Sequence, residues 1–133
     1  AYLLSDEPDT SLSMVDIDLM DGQEFERFVS KLLQNMGYKT EITKGSGDQS
    51  VDIIAEKEGL RIAVQTKCYC GRVGNEAVQQ VVSGQNYYNC QKALVVTNNY
   101  FTDLALNLVR ADNVWLWDRE TLREKILGTS LKR

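Results

Sequence analysis

The stretch over residues 51–67 constrains the fold of this chain most. It contains two runs rich in β-branched and aliphatic residues, VDIIAEK and LRIAVQTK, which are separated only by Glu58 and Gly59. A two-residue turn that contains glycine typically joins antiparallel strands. The pattern therefore predicts a β-hairpin in which Lys57 faces Leu60 and the residue numbers of each opposed pair add to 117.

This register predicts where the polar residues of the hairpin lie. Asp52 falls opposite Gln65, and Lys67 shares their face because side chains alternate along a strand. Opposed Cβ atoms lie roughly 4.5 to 5.5 Å apart and diagonal neighbours roughly 7 to 8 Å, which is close enough to share one hydrated divalent cation. Hard oxygen ligands of this kind suit Mg²⁺. Since Gln65 offers only a neutral amide oxygen, a second carboxylate is expected from elsewhere.

Glu26 is the candidate for that second carboxylate. Asp21, with Glu24 three residues later, forms a capping box that predicts the start of a helix, and Gly37 predicts its end. Glu26 lies at the edge of the apolar stripe of this helix, where it faces the margin of the sheet. Alone it is typical of an ordinary boundary glutamate, but together with Asp52, Gln65 and Lys67 it is predicted to be a metal ligand.

The remaining segments predict an α/β fold with a mixed central β-sheet flanked by helices, in the order αβββαβαβα. Residues 38–43 favour a strand, and residues 75–88 favour a helix with one apolar face. The almost wholly apolar run KALVVT suits a strand buried on both faces. A third helix is expected up to residue 111, followed by a short strand, VWLW, and a last helix capped by Asp118.

The amino-terminal part of the chain carries most of the negative charge. The whole chain has a formal charge of −4 and residues 1–21 carry −6, which leaves +2 from Gly22 onward. We expect residues 1–19 to form a flexible acidic leader or linker, with Val15, Ile17 and Leu19 in a short extended piece, and residues 20–133 to form one domain. A body with a charge of +2 is only mildly basic, so tight binding to nucleic acid needs help from elsewhere.

The sequence contains no histidine and three cysteines. Ser-His-Asp and Cys-His catalysis and His-ligated metal sites are therefore excluded, because each needs an imidazole. The C-x-C pair of Cys68 and Cys70 lacks the partners of a zinc site, so no zinc is expected. Unpaired thiols favour a reducing, cytoplasmic location, and no apolar run is long enough to span a bilayer.

Several motifs together resemble one known family. MDGQEFE, GSGDQSVDIIAEK, QTK, VGNEAVQQV and VVTNNYFT are similar to the Mrr-type restriction endonuclease family, whose catalytic domain belongs to the PD-(D/E)xK nuclease superfamily. The similarity extends from about residue 20 to residue 127. It implies a restriction-endonuclease-like core and an Mrr-like nuclease catalytic domain over residues 20–133.

The resemblance also implies roles for particular residues. Asp52 corresponds to the metal-binding aspartate, Gln65 to the second acidic residue in the Q-x-K variant of the motif, and Lys67 to the motif lysine. Glu26, in EFE, corresponds to the helix glutamate that completes the site. Ser50 stands where the family often has glycine, so the backbone there is less free to approach a phosphate.

Three further residues are candidate DNA contacts. Ser46 and Asp48 lie in the loop before Asp52, and Gln79 lies on the helix after the hairpin. Each also has an ordinary explanation, because turns are rich in Gly, Ser and Asp and a solvated helix glutamine is common.

The resemblance implies a Mg²⁺-dependent endodeoxyribonuclease that hydrolyses DNA phosphodiester bonds, type IV and Mrr-like, with Mn²⁺ as an alternative metal. Two alternatives stay open: a catalytically weak DNA-binding module, and a structure-specific nuclease that acts on junctions or RNA. Cutting both strands needs two active sites, so a homodimer is expected. Targeting is expected to reside in a flanking targeting or membrane-anchoring domain outside this chain.

Overall fold

The structure is a computed structural model that describes residues 13–43, 51–109 and 114–131. Its helices and strands follow in this order: α1 (Met14–Asp18), α2 (Gly22–Asn35), β1 (Lys39–Ile42), β2 (Ile53–Lys57), β3 (Leu60–Lys67), α3 (Asn75–Tyr87), β4 (Lys92–Thr97), α4 (Asp103–Leu108), β5 (Val114–Trp117) and α5 (Arg119–Leu131). The strands form one mixed sheet in the order β1-β2-β3-β4-β5. The pairs β1–β2 and β2–β3 are antiparallel, and the pairs β3–β4 and β4–β5 are parallel.

The predicted hairpin is confirmed in its register. Lys57 pairs with Leu60 and Ile53 pairs with Val64, as a sum of 117 requires. Both residues of the turn at 58–59 have positive φ angles, 52° and 86°. Such a turn matches the right-handed twist of the two strands that it joins.

Helix α2 begins and ends where its capping residues predict. The Asp21 carboxylate accepts a 2.7 Å hydrogen bond from the Glu24 amide, and the Glu24 carboxylate accepts one of 2.9 Å from the Asp21 amide. After α2, the chain reverses through Gly37, whose φ is +102°. The helix thereby presents its apolar face to the sheet and leads directly into edge strand β1.

Helix α1 differs from the predicted extended piece. Ser13 and Asp16 form a capping box and the chain from Met14 is helical, so the interpretation of residues 15–19 as extended was wrong. Only Ile17 of the three alternating apolar residues is buried, with 1% of its surface exposed, whereas Val15 and Leu19 are 63% and 79% exposed. The proposed division at residue 19 stays a prediction, and residues 1–12 of that leader lie outside the described residues.

The apolar core lies on both faces of the sheet. One face packs against α1, α2 and α5 and contains Ile17, Phe25, Val29, Leu33, Ile53, Ile62, Val64, Leu94, Val96 and Leu122. The other face packs against α3 and α4 and contains Val73, Ala77, Val78, Val81, Ala93, Val95, Phe101 and Ala105. Strand β4 contributes to both cores, which confirms its predicted burial on two faces.

One boundary differs from the predicted order of helices and strands. Apart from α1, the elements follow the predicted sequence of helices and strands. Helix α4 ends at Leu108 rather than near residue 111, because Val109 has a ψ of 68° and leaves the helical conformation. Within the described ranges, no helix is both long and apolar enough to cross a membrane.

Candidate active site

Asp52 lies at a break in the regular pairing of the hairpin. Its amide donates a 2.8 Å hydrogen bond to the Val64 carbonyl, although Ile53 is already the register partner of Val64. Two residues of one strand thus oppose one residue of the other, which is the arrangement of a β-bulge. Val51 accordingly packs in the same apolar cluster as Ile54, which regular alternation would place on the opposite face.

The bulge changes the direction of the Asp52 side chain. Its Oδ2 accepts hydrogen bonds from the Thr66 amide at 2.8 Å and from the Thr66 hydroxyl at 3.2 Å. Thr66 alternates along β3 with Val64, which packs on the α2 side of the sheet, while Gln65 and Lys67 point to the α3 side.

The expectation that Asp52 lies opposite Gln65 and shares one face with Gln65 and Lys67 was therefore wrong. The extra residue at the bulge turns the carboxylate to the other side. Asp52 is hydrogen-bonded to Thr66, which stands between Gln65 and Lys67 on β3, so the three residues are neighbours along the backbone where β2 begins and β3 ends, while the Gln65 and Lys67 side chains point to the other face.

Glu26 lies on α2, on the same side of the sheet as the Asp52 carboxylate. Burial raises the pKa of the half-buried Glu26, the negative charge of Asp52 raises it further, and Arg27 lowers it. The negative charges of Glu26 and Asp52 thus repel each other. A cation between two such carboxylates relieves that repulsion.

Gln65 is almost completely buried, with 3% of its surface exposed. Its Nε2 donates a 3.1 Å hydrogen bond to Oε1 of Gln80 on α3. Its own Oε1 is buried without a hydrogen-bond partner. An unsatisfied buried acceptor of this kind costs about 1 to 3 kcal/mol, so a ligand at this oxygen would recover free energy.

Gln80 is a site residue that sequence reasoning missed. The sequence pointed to Gln79, which is exposed on the same helix. Gln80 lies three residues after Ala77 and four before Gly84, both of which are buried against the sheet. That helical spacing is the signal that places Gln80 at the margin of the buried face of α3, although it is exposed like Gln79.

Lys67 lies half-buried at the end of β3, next to an aromatic ring. Its ammonium lies 5.5 Å from the centre of the Tyr69 ring, within the range of a cation–π contact. The Tyr69 amide in turn donates a 2.8 Å hydrogen bond to Oδ1 of the buried Asn98. The loop that follows β3 is thus attached to β4, and Lys67 is held near the end of its strand.

A polar network continues from Asn98 to the helices. Nδ2 of Asn98 donates to the Asp18 carboxylate at 2.9 Å, and the Arg119 guanidinium donates to the same carboxylate at 2.8 Å. The Arg119 hydrogen bond lowers the pKa of Asp18, burial opposes this by raising it, and the Asn98 hydrogen bond and then the Arg119 charge lower it further. These residues line a cleft of about 490 Å³ that also borders Tyr69.

The donors at the site fit a hard cation. Asp52 and Glu26 supply carboxylate oxygens, and Gln65 supplies an orphaned amide oxygen. Over residues 13–43, 51–109 and 114–131, no group of three or more His, Cys, Asp or Glu side chains is placed to hold a metal. Mg²⁺ commonly uses only one or two carboxylates and keeps several waters, so this smaller oxygen set suits it.

Three residues were predicted to contact DNA: Ser46, Asp48 and Gln79. Ser46 and Asp48 lie outside the described residues. Gln79 is exposed on α3, as a residue that touches DNA must be. The roles predicted for Glu26, Asp52, Gln65 and Lys67 likewise remain predictions.

The mixed sheet, its flanking helices and the polar cluster on the central hairpin define a restriction-endonuclease-like α/β protein. A family model confirms this class from the sequence, because the Mrr catalytic-domain family of restriction endonucleases matches residues 17–126. The chain belongs to this family. Comparison with curated protein sequences found no match.

Solved structures show the same fold. The DNA modification-dependent restriction endonuclease AspBHI superposes with a TM-score of 0.70 at 18% identity, over 98% of this chain and 37% of that one. The MspJI restriction endonuclease, solved in complex with a 27-mer oligonucleotide, superposes with a TM-score of 0.64 at 19% identity, over 98% of this chain and 35% of that one. A protein of unknown function, AF1548, superposes with a TM-score of 0.65 at 17% identity, over 80% of this chain and 63% of that one. The chain thus spans less than two thirds of each of these proteins.

Proposed function

We propose that this chain is the catalytic domain of a Mg²⁺-dependent endodeoxyribonuclease that hydrolyses DNA phosphodiester bonds. The observation that carries the proposal is the hydrogen bond from the Thr66 amide to the Asp52 carboxylate, which joins the aspartate to the Gln-x-Lys strand at 2.8 Å. Family membership supports nuclease chemistry, and the matched range, residues 17–126, contains the four residues to which we assign the site.

Asp52, Glu26 and the Gln65 amide oxygen are the residues to which we assign the metal. When bound, Mg²⁺ supplies Lewis-acid stabilisation of charge on the phosphate, and Mn²⁺ is an alternative. The Thr66 hydrogen bonds use Oδ2 of Asp52, so we assign Oδ1 to the cation. Glu26 contributes directly or through a water.

Lys67 is assigned to the attacking water and to the phosphate. Its ammonium positions the water, lowers the pKa of that water and adds positive charge beside the pentacoordinate transition state. The water releases a proton to solvent as its oxygen forms a bond to phosphorus, the bond from phosphorus to O3′ breaks, and the departing oxygen takes up a proton from solvent. The products are a 5′-phosphate and a 3′-hydroxyl.

DNA is the proposed partner, and two copies of the chain are proposed to cut the two strands. Support for DNA comes from MspJI, which has the same fold and was solved with an oligonucleotide. The type IV, Mrr-like role in restriction, the cytoplasmic location and a separate targeting domain belong to the same proposal.

The proposal is tested with supercoiled plasmid, in Mg²⁺ and in EDTA. We expect cleavage only with the metal, and losses of about a hundredfold or more in Asp52→Asn and Lys67→Met. Asp103→Asn and Lys31→Met make the same chemical changes at exposed positions and are expected to cut normally. Equal cutting by the wild type and both site variants would contradict the site assignment.

The two alternatives give different results in the same assay. A wild type that binds plasmid in a gel shift but never cuts it, with either metal, is the DNA-binding module. A wild type that cuts four-way junctions or RNA and leaves plasmid intact is the structure-specific nuclease.

A further inference from the structure

The cleft of about 490 Å³ lies where β3 and β4 end, and the proposed metal site does not use it. One of its walls is formed by residues 68–70, which follow β3 directly. Two of its lining residues, Cys68 and Met20, pack on the core of the α2 side. The cleft therefore begins two residues beyond Thr66, on the side of the sheet that carries the Asp52 carboxylate.

Arg119 brings a positive charge to this cleft, and part of its guanidinium is unused. Its Nη1 donates to the Asp18 carboxylate at 2.8 Å and to the Asn98 carbonyl at 2.9 Å. Its Nη2 and Nε make no hydrogen bond to the residues that the structure describes, and the side chain is 27% exposed. A guanidinium has five N–H donors in a planar fork that matches the oxygens of a phosphate. Arg119 can therefore bind a phosphate while its contact with Asp18 stays in place.

Asn99 adds a second donor to the lining of the cleft. Its amide oxygen accepts a 2.9 Å hydrogen bond from the Tyr100 amide. Because a backbone amide can only donate, this contact determines which side of the Asn99 side chain carries the NH₂ group. Within the described part of the chain that NH₂ group has no hydrogen-bond acceptor, so it is available to a ligand.

Asp18 has two opposite effects on an anion in the cleft. Its carboxylate fixes the guanidinium of Arg119, which reduces the cost of ordering a long side chain when a ligand binds. The hydrogen bond from Arg119 lowers the pKa of Asp18, so the carboxylate is charged at neutral pH. That charge is 38% exposed and repels a phosphate.

We propose that the cleft binds a backbone phosphate of DNA through Arg119 and Asn99, beside the phosphate that is cut. This inference rests on the proposed function, since it assumes that a DNA strand lies across the end of β3. A strand whose scissile phosphate lies at Asp52 passes the cleft, because the cleft wall continues β3 on the same face. The chain carries a charge of only +2 from Gly22 onward, so each well-placed cation contributes strongly to affinity.

The first experiment measures the affinity of the folded chain for duplex DNA by fluorescence anisotropy, in EDTA and at several salt concentrations. Arg119→Gln should lower the affinity about tenfold and reduce the slope of log affinity against log salt by about one. Asp18→Asn should raise the affinity about two- to fivefold, because it removes a repelling charge that is partly screened. Arg123→Gln and Asp103→Asn make the same changes at exposed positions and should leave the affinity nearly unchanged.

The opposite signs separate a DNA contact from a purely structural ion pair. Both variants weaken the same ion pair, so a structural role alone predicts that both change the affinity in the same direction. The asparagine in Asp18→Asn keeps an oxygen that can accept from Arg119 and Asn98, so Arg119 keeps its position. Lower affinity in Arg119→Gln with higher affinity in Asp18→Asn supports the inference. An unchanged affinity and salt slope in Arg119→Gln overturns it.

The second experiment uses the wild type alone and decides the question if Arg119→Gln does not fold. Cys70 is an exposed thiol on the wall of the cleft, whereas burial raises the pKa of the Cys90 thiol. Duplex DNA should slow the alkylation of Cys70 by iodoacetamide severalfold, measured by mass spectrometry with Cys90 as the internal reference. Undiminished alkylation of the DNA-bound chain overturns the inference. Equal protection by inorganic phosphate would indicate a site for free anions and also overturns it.

The outcomes separate this inference from the proposed function. A wild type that cuts plasmid, together with an Arg119→Gln variant that binds DNA as the wild type does, overturns the inference alone. If both variants change the affinity as expected but the wild type never cuts, the cleft is a DNA contact and the nuclease activity is overturned. A wild type that does not bind duplex DNA overturns both.

Discussion

The carboxylate of Asp52 is fixed to the backbone of Thr66 by a 2.8 Å hydrogen bond across the hairpin. A backbone amide cannot rotate away as a side-chain donor can, so the aspartate keeps its place at the end of β3. The β-bulge at Asp52 makes this contact possible, because it turns the side chain to the face on which Thr66 lies. That same face presents Glu26.

Replacing Asp52 by asparagine should lower the pKa of Glu26. The neutral amide removes the repulsion by Asp52, while burial, the larger cause, still holds the Glu26 pKa above its ordinary value. Asparagine keeps an oxygen that can accept the Thr66 hydrogen bond, so the hairpin should be preserved. Carboxyl ¹³C NMR titration of both proteins measures the shift, with Glu41→Gln as an exposed control. An unchanged Glu26 pKa would show that the carboxylates do not interact.

The raised pKa of Glu26 also sets the sign of a pH effect on stability. The folded chain binds a proton at Glu26 more readily than the unfolded chain, so this residue stabilises the fold at low pH. That contribution decreases as the pH rises from the ordinary pKa through the raised one. Above this window Asp52→Asn should be more stable than the wild type. Solvent screening reduces the difference, because Glu26 is only half-buried. Urea denaturation at acidic and neutral pH tests the difference.

Removing the Ile17 side chain tests whether α1 belongs to the folded domain. Ile17 is 1% exposed and packs in the core on the α2 face, so Ile17→Ala should lower the free energy of unfolding by about 2 to 5 kcal/mol. Val15→Ala, on the exposed side of the same helix, should change it by less than about 0.5 kcal/mol. Urea denaturation measures both variants. Equal stabilities would mean that α1 is not packed on the sheet in solution.

The fold could be predicted where the signal is local. The capping box of Asp21 and the two-residue turn at 58–59 determine α2 and the hairpin through contacts between close neighbours. Helix α1 was missed because alternating apolar residues mimic a strand, although its capping box at Ser13 was present in the sequence. Five residues are too few for helical periodicity to outweigh that alternation.

The site was harder to predict than the fold because one extra residue reverses a face. The identities of Asp52 and Gln65 were visible in the sequence, but a β-bulge has no fixed sequence pattern, and it decides which way Asp52 points. Gln80 was missed for another reason. Its contact with Gln65 joins a helix to a strand 15 positions away, and only the packing of α3 on the sheet creates it.

Removing the Asn98 side chain tests the network that holds the loop after Lys67. Asn98 is 3% exposed, accepts a hydrogen bond from the Tyr69 amide and donates one to the Asp18 carboxylate. Asn98→Ala removes both hydrogen bonds. We expect a loss of about 1 to 3 kcal/mol in the free energy of unfolding. Asn86→Ala, at an exposed position, is the control and should be near wild type. Thermal denaturation at neutral pH measures both, and equal melting temperatures would contradict the network.

Gly37 provides a test of how α2 is attached to β1. Its φ of +102° lies in a region that residues with a Cβ adopt only at a cost, so Gly37→Ala should destabilise the fold by about 1 kcal/mol or more. The added Cβ would also lie 3.2 Å from Cε of Lys57, but that flexible side chain can move, so backbone strain is the larger effect. Gly22→Ala, in the first turn of the same helix, meets nothing within 4 Å and should be neutral or stabilising. Urea denaturation of the two variants should therefore give changes of opposite sign or clearly different size, and equal losses would show that the positive φ at Gly37 is not required.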